Sequence, residues 1–263
     1  MFDFENKIGH DRINILGVGI SAVTPSTACQ LIAQWIEAKK KIFVCVAPVS
    51  TIVDCQKSQD YRNLVNQAAM VTPDGMPVVW LRKWRGNKMI QRTYGPDLML
   101  ALSEFGQDKG FRHYYYGGSP QVCEALKKNL KKRFAQLHVA GQYSPPFHAE
   151  FRRESQEVID DINRAKPDIL WVGLGSPKQD YWMREHRDVI DAPVMIGIGA
   201  AFDFLSGHKM QAPRWIQRSG LEWLFRLCCE PKRLWRRYLI GNTQFVYYVI
   251  KDFLKMGRQK YEQ

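Results

Sequence analysis

Phe111–Gln142 reads FRHYYYGGSPQVCEALKKNLKKRFAQLHVAGQ. The aromatic run Phe111–Tyr116 suits a strand. It stops at Gly117-Gly118-Ser119-Pro120, a turn cluster that also signals a helix start. Gln121–Phe134 then carries a helical pattern, and His138–Gln142 returns to strand-like residues. Strand, glycine turn, helix, strand is the unit of a parallel sheet, because parallel neighbours need a crossover and a helix supplies it.

The same alternation extends both ways along the chain. Arg12–Gly19 (RINILGVG) reads as one strand, and Thr24-Pro25-Ser26 opens a helix running to Lys40. Lys41–Ala47 (KIFVCVA) is a second strand, Thr51–Ala69 is helical, and Ala69–Thr72 is a short strand entering Pro73-Asp74-Gly75. Pro96–Gly106 and Glu150–Ala165 read as helices, and Ile169–Gly173 and Val194–Ile198 as strands running into glycine turns. The expected fold is α/β: a Rossmann-like, mostly parallel sheet with helices on both faces, ligands belonging at the C-terminal strand ends. Pro213 marks the boundary between an α/β core, 1–212, and a basic amphipathic appendage, 213–263.

That appendage contains GLEWLFRLCCEPKRLWRRYLIGNTQF, from Gly220 to Phe245. Its arginines alternate with large apolar and indole side chains, which suits a surface both anionic and greasy, as the headgroup region of a bilayer is. Two helices are expected, parted at Glu230-Pro231, the second carrying an apolar stripe of Leu234, Tyr238, Phe245, Val249 and Phe253 and bending at Gly241-Asn242. The net charge is +12, and from Arg214 onward basic residues outnumber acidic ones by seven. The charge is thus polarised, and such a tail left exposed favours self-association, a homo-oligomer.

No stretch approaches the roughly 20 apolar residues that span a bilayer, and MFDFENKIGHDR has no signal-peptide character. The six cysteines form no CxxC pair and no zinc spacing with the histidines. These features predict a reduced, cytosolic protein without a bound metal or cofactor, in which contact with a membrane is peripheral. The histidines His10, His113, His138, His148, His186 and His208 read as structural or exposed.

Candidate chemistry falls in strand-end loops. Asp74, in TPDGMP beside Thr72 and Gly75, has three readings: a general base, a ligand for a sugar hydroxyl, or a turn former. Gly117 and Gly118 precede a helix N-terminus that can cradle phosphate or simply close a tight connection. Gly173, Gly175, Lys178 and Gln179, in VGLGSPKQD, suit a nucleotide diphosphate or sugar hydroxyls, with a solvated lysine as the plain alternative. The glycines of GIGAAFDFLSG (197–207) permit close approach of a ligand or of another element. Arg92, in RTYGPD, is a candidate phosphate ligand, and Asp97 caps the next helix or pairs with Arg92. There is no GxGxxG, no P-loop and no Ser/His/Asp grouping.

Taken together, TPDGMP, RTYGPD, YYYGGSP, WVGLGSPKQD, GIGAAFDFLSG and GLEWLFRL..EP.R occur in one order at characteristic spacings. Over about Ile13–Phe245 the chain strongly resembles the WecG/TagA/CpsF family of bacterial glycosyltransferases. The resemblance implies an inverting, metal-independent transfer of a sugar from a UDP-sugar to a polyprenyl-diphosphate-linked saccharide, feeding teichoic acid, common antigen, capsule or exopolysaccharide. It implies Asp74 as base, functional roles for Arg92 and Gln179, and Arg226, Arg233 and Arg236 closing over diphosphates. One element departs: where many members carry Thr-x-Asn, this chain has Val46-Ala47-Pro48, with Ser50 and Thr51 as nearby substitutes. Two rival classes remain. A membrane-associated scaffold would bind UDP without transfer. A basic nucleic-acid-binding module is disfavoured, because no such motif is present.

Overall fold

A computed structural model describes residues 11–84, 90–146 and 153–259. His10, His148, the expected helix start at Glu150, and the tail charges Lys260 and Glu262 lie outside the described residues. The strands are β1 (Arg12–Ile15), β2 (Val18–Ser21), β3 (Ile42–Ala47), β4 (Met70–Pro73), β5 (Arg112–Gly117), β6 (His138–Tyr143), β7 (Ile169–Gly173) and β8 (Val194–Gly197). Six of them form one parallel sheet in the order β4-β3-β8-β7-β5-β6. The chain leaves β3 toward one edge and β5 toward the other, so the loops diverge over the middle strands and leave a crevice there.

Strand alternation sorts side chains onto two faces. Phe43, Cys45, Tyr114, Tyr116, Leu170, Val172 and Met195 point to one, where they meet helices Val49–Lys57, Gln59–Gln67, Gln156–Ala165 and Lys178–His186. Val44, Val46, Tyr115, Ile169, Trp171 and Ile196 point to the other, against helices Pro25–Glu37, Gly95–Phe105 and Pro120–Arg133. Helices therefore cover both faces, and both faces of the strands are apolar, as a parallel sheet requires.

Some elements differ from the sequence expectation. Arg12–Gly19 is not one strand but the first part of an antiparallel hairpin, because Leu16 and Gly17 take positive φ of 53° and 83°. Thr51–Ala69 is two helices, parted at Ser58, whose hydroxyl accepts from Tyr61 N–H at 3.2 Å. Helices Met76–Trp84 and Lys178–His186 follow loops whose glycines and prolines obscured them.

The C-terminal segment has more pieces than the two expected: Arg214–Arg218, Glu222–Cys229, Pro231–Trp235, a π-turn over Arg236–Ile240, and Gly241–Gln259. It is tied to the core. Phe245 is buried in the sheet's first core cluster, with Tyr248 and Val249 packed beside it. Asp97 pairs with Arg214 at 2.8 Å, not with Arg92, and Lys209 reaches Glu230 at 3.6 Å. Elsewhere the segment exposes large apolar groups, among them Trp215, Leu239, Tyr247 and Leu254. Among the described residues no helix is long and apolar enough to cross a membrane.

Phe245→Ala removes the ring that anchors the last helix, a change worth about 3 kcal/mol for a buried phenylalanine. Amide exchange across 241–259 is expected to accelerate while the sheet's protection is unchanged. Equal protection in both proteins would mean that the ring is not the anchor.

Candidate active site

The C-terminal ends of the central strands share one rim. Gly117 stands opposite Gly173, Val172 opposite Gly197, and Ala47 opposite Pro73. Over that rim opens a cleft of about 1260 Å³. Its lining brings together Asp74, Gly75, Arg92, Gly118, Gly173, Gly175, Lys178 and Gln179 from the core with Glu222, Arg226, Arg233 and Arg237 from the C-terminal segment.

Asp74 follows β4 directly. Its N–H donates to the Ala47 carbonyl at 3.3 Å, which holds it at the end of β3. Arg92 is brought alongside by two backbone-level ties: Thr93 N–H donates to the Pro73 carbonyl at 2.9 Å, and the Thr72 hydroxyl donates to the Thr93 carbonyl at 3.1 Å. The Arg92 guanidinium then donates through Nε to the Asp74 carbonyl oxygen and through Nη2 to the Asp74 carboxylate at 3.3 Å. The same Nη2 donates to Glu222 Oε2 at 2.6 Å, and the guanidinium lies 4.1 Å from the Tyr94 ring centroid. One cation thus holds a carboxylate from the core and one from the tail.

Burial pushes the Asp74 carboxyl up to about 6; Arg92 opposes the rise and Glu222 adds to it. A carboxyl poised there, on the wall of a cleft, is fitted to take up and release a proton near neutral pH.

Gln179 is a clamp. Its side chain is 2% exposed. Oε1 accepts from Gly175 N–H at 3.0 Å and from Gly199 N–H at 2.9 Å, and Nε2 donates to Ser176 Oγ at 3.1 Å. It joins the loop after β7 to the loop after β8, with both ends of its amide engaged.

Several expected contacts fall elsewhere. Thr72 is fully buried and positions the Arg92 segment instead of lining the cleft. Gly117 is also off the cleft: at φ +121° a Cβ would come within 2.7 Å of the Gly173 backbone, so the glycine serves strand–strand proximity. Gly173 does line the cleft, but a Cβ there would meet the Phe202 ring at 2.8 Å, so packing alone demands it. Ser119 caps the helix after Gly118, accepting from Val122 N–H at 3.3 Å.

Among the arginines, Arg226 lies 5.2 Å from the Phe204 ring centroid, and Arg233 forms a two-point pair with Glu230 at 2.6 and 2.7 Å. Arg236 points away from the cleft, over Trp235. Arg237 takes its place, donating to Ser50 Oγ at 2.7 Å. Ser50 thus enters the cleft where the Thr-x-Asn element is missing, whereas Thr51 is buried.

Sequence reasoning missed Glu222 and Arg237. Glu222 could have been found as one of two carboxylates, with Glu230, inside a cationic block. Arg237 was no better marked than Arg236, because the two lie four and three residues after Arg233 and both spacings share a helical face. Cys29, Cys45, Cys55 and Cys123 are buried free thiols, and Cys228 and Cys229 are exposed. His113 accepts from Trp171 Nε1 at 2.9 Å, and burial pulls its imidazole down to about 3. Neither it nor any other described histidine lines the cleft.

Known proteins bear on this geometry. The model of the glycosyl transferase WecG/TagA/CpsF family matches residues 13–259. A Bacillus subtilis (strain 168) protein named N-acetylglucosaminyldiphosphoundecaprenol N-acetyl-beta-D-mannosaminyltransferase is 30% identical over 196 residues, 74% of each chain. A Bacillus spizizenii protein of the same name is 28% identical over 82% of each chain. One from Staphylococcus aureus (strain NCTC 8325) is 25% identical over 97% of this chain and 99% of its own.

Gln179→Leu takes the shared acceptor from two part-buried N–H groups, those of Gly175 and Gly199, and we expect it to cost about 1–3 kcal/mol of stability. Gln179→Glu, which can still accept from both, should cost clearly less. Urea unfolding of the three proteins decides; equal losses would refute the clamp.

Proposed function

The chain belongs to the WecG/TagA/CpsF family of glycosyl transferases, and from that premise we propose the following reaction. The enzyme moves a sugar from a UDP-sugar to a saccharide carried on a polyprenyl diphosphate, with inversion at the transferred carbon. The observation that carries the proposal is the Asp74 carboxyl, raised to about 6, on a cleft lined also by Arg226, Arg233 and Arg237. The named relatives build a β-mannosaminyl bond on an undecaprenyl-diphosphate-linked acceptor. That acceptor chemistry fits a cleft with a cationic lining.

In this reaction Asp74 accepts the proton of the attacking acceptor hydroxyl. The hydroxyl oxygen bonds to C1 of the donor sugar as the C1–O bond to diphosphate breaks, and the bonding pair leaves with UDP. Cationic side chains and loop N–H groups carry the charge that develops on the leaving diphosphate. Arg92 holds Asp74 in place and, with Glu222, ties its orientation to the docked tail. Gln179 acts by shaping the loops after β7 and β8.

A polyprenyl acceptor stays at the membrane, so the enzyme works there as a peripheral protein. The exposed Trp215, Leu239, Ile240, Tyr247 and Leu254 of 213–263 support that placement, together with the segment's positive charge.

Asp74→Asn is expected to lower kcat by about a thousandfold while UDP binding is retained; full activity would remove Asp74 as base. In the native enzyme, kcat/KM should fall tenfold per pH unit below about 6 and level off above it, since the ionised carboxylate is the competent form. A profile flat through that range would refute the assignment. Arg237→Ala should raise the acceptor KM about tenfold or more, and Arg236→Ala less. The reverse order in steady-state kinetics would show that Arg236 makes the diphosphate contact.

A further inference from the structure

Beside the cleft runs a second concavity that the transfer chemistry leaves unused. It holds about 520 Å³ between helix Met76–Trp84 and helix Gly241–Gln259. Trp80 and Leu81 form one wall, and Val249 and Ile250 the other. Pro77, Phe245 and Val246 line both this groove and the cleft, so the two spaces are continuous. Every described lining residue is apolar, yet Trp80, Val246 and Ile250 are 48%, 55% and 54% exposed.

We propose that this groove holds the first isoprene units of the polyprenyl diphosphate acceptor while the cleft arginines hold its diphosphate. The inference rests on the acceptor class proposed above and adds where the lipid chain goes. The C-terminal helices present a graded face. Arg233, Arg237 and Asn242 face the cleft, Phe245 and Val246 sit at the junction, and Val249 and Ile250 face the groove. The steps along this face are four, then five, then three or four residues. The five-residue step crosses the π-turn Arg236–Ile240, whose extra residue keeps Asn242 on the same side as Arg237.

Cation at one end and hydrocarbon at the other match a diphosphate joined to a prenyl chain. Phe245 lies eight residues beyond Arg237, roughly 12 Å along a helix. Asp74 stands at the opposite end of the other wall, two residues before helix Met76–Trp84 begins. Trp80 is held by the tail itself: Gly220 has φ +77°, and a Cβ there would lie 2.5 Å from Trp80 Cη2. The groove wall and the cleft lining are thus locked together, as a continuous lipid–diphosphate track needs.

The test compares binding of farnesyl diphosphate and inorganic diphosphate to the full chain by calorimetry, without membranes or detergent. The native protein should bind farnesyl diphosphate about tenfold tighter or more, since several methylene-sized groups leave water. Ile250→Asp should abolish that preference and leave inorganic diphosphate affinity unchanged; the milder Ile250→Ser should reduce it. Equal affinities for the two ligands in the native protein overturn the proposal. So does a preference kept in Ile250→Asp, including the case in which that variant leaves phosphatidylglycerol vesicles or changes oligomeric state, since the face would then dock on bilayer or on a second copy. Sugar transfer from UDP-sugars to polyprenyl-diphosphate-linked saccharides is measured separately. Absence of all transfer would sink the proposed reaction, while the farnesyl comparison still judges the groove.

Discussion

Arg92 is the hinge pin of the molecule's chemistry. One guanidinium, nearly withdrawn from solvent, sits between Asp74 at the end of β4 and Glu222 in the tail. A buried cation without partners would cost several kcal/mol, and two carboxylates without a cation would repel. Each of the three groups therefore requires the other two. The site is complete only when the C-terminal segment lies on the core, because a third of this cluster arrives with it. Desolvation still outweighs the cation at Asp74, which leaves its carboxyl closer to neutrality than an exposed aspartate.

The sheet was legible because parallel strands are apolar on both faces and end in glycine turns. Phe111–Gln142 and Ile169–Gly173 announced themselves in this way, and the strand-end rule then located the cleft. The hairpin Arg12–Ser21 was not legible, since its turn uses Leu16 at positive φ, a conformation that leucine seldom takes. The break at Ser58 was hidden inside an otherwise continuous helical pattern. Within the site, motif position singled out Asp74, expected as the base, with Arg92 and Gln179, whose particular jobs it left open. Gln179 read as a ligand for substrate; it does line the cleft, and its amide also braces two loops, which the sequence did not indicate. Thr72 and Gly117 lay in the right loops and face inward, because sequence gives the loop and not the direction of the side chain.

The tail was the hardest part to read. Its composition indicated contact with anionic, greasy surroundings, and that description fits a bilayer and a substrate cleft equally well. The structure divides it between the cleft and the open surface. Arg226, Arg233 and Arg237 turn toward the cleft, while Leu239, Tyr247 and Leu254 stay exposed. A regular helical period cannot anticipate this partition, because the π-turn at Arg236–Ile240 rotates everything after it.

The contact between Trp80 and Gly220 has a consequence for modular engineering. A family that shares this architecture invites chimeras in which one C-terminal segment replaces another. Here the segment is not a portable cassette: its backbone at Gly220 is moulded to an indole supplied by the core, and its Glu222 answers an arginine from the core. A graft that omitted helix Met76–Trp84 would set a foreign ring against the seam and misalign the carboxylate beyond it. Helix Met76–Trp84 and the C-terminal segment, distant in sequence, are thus a single unit in space.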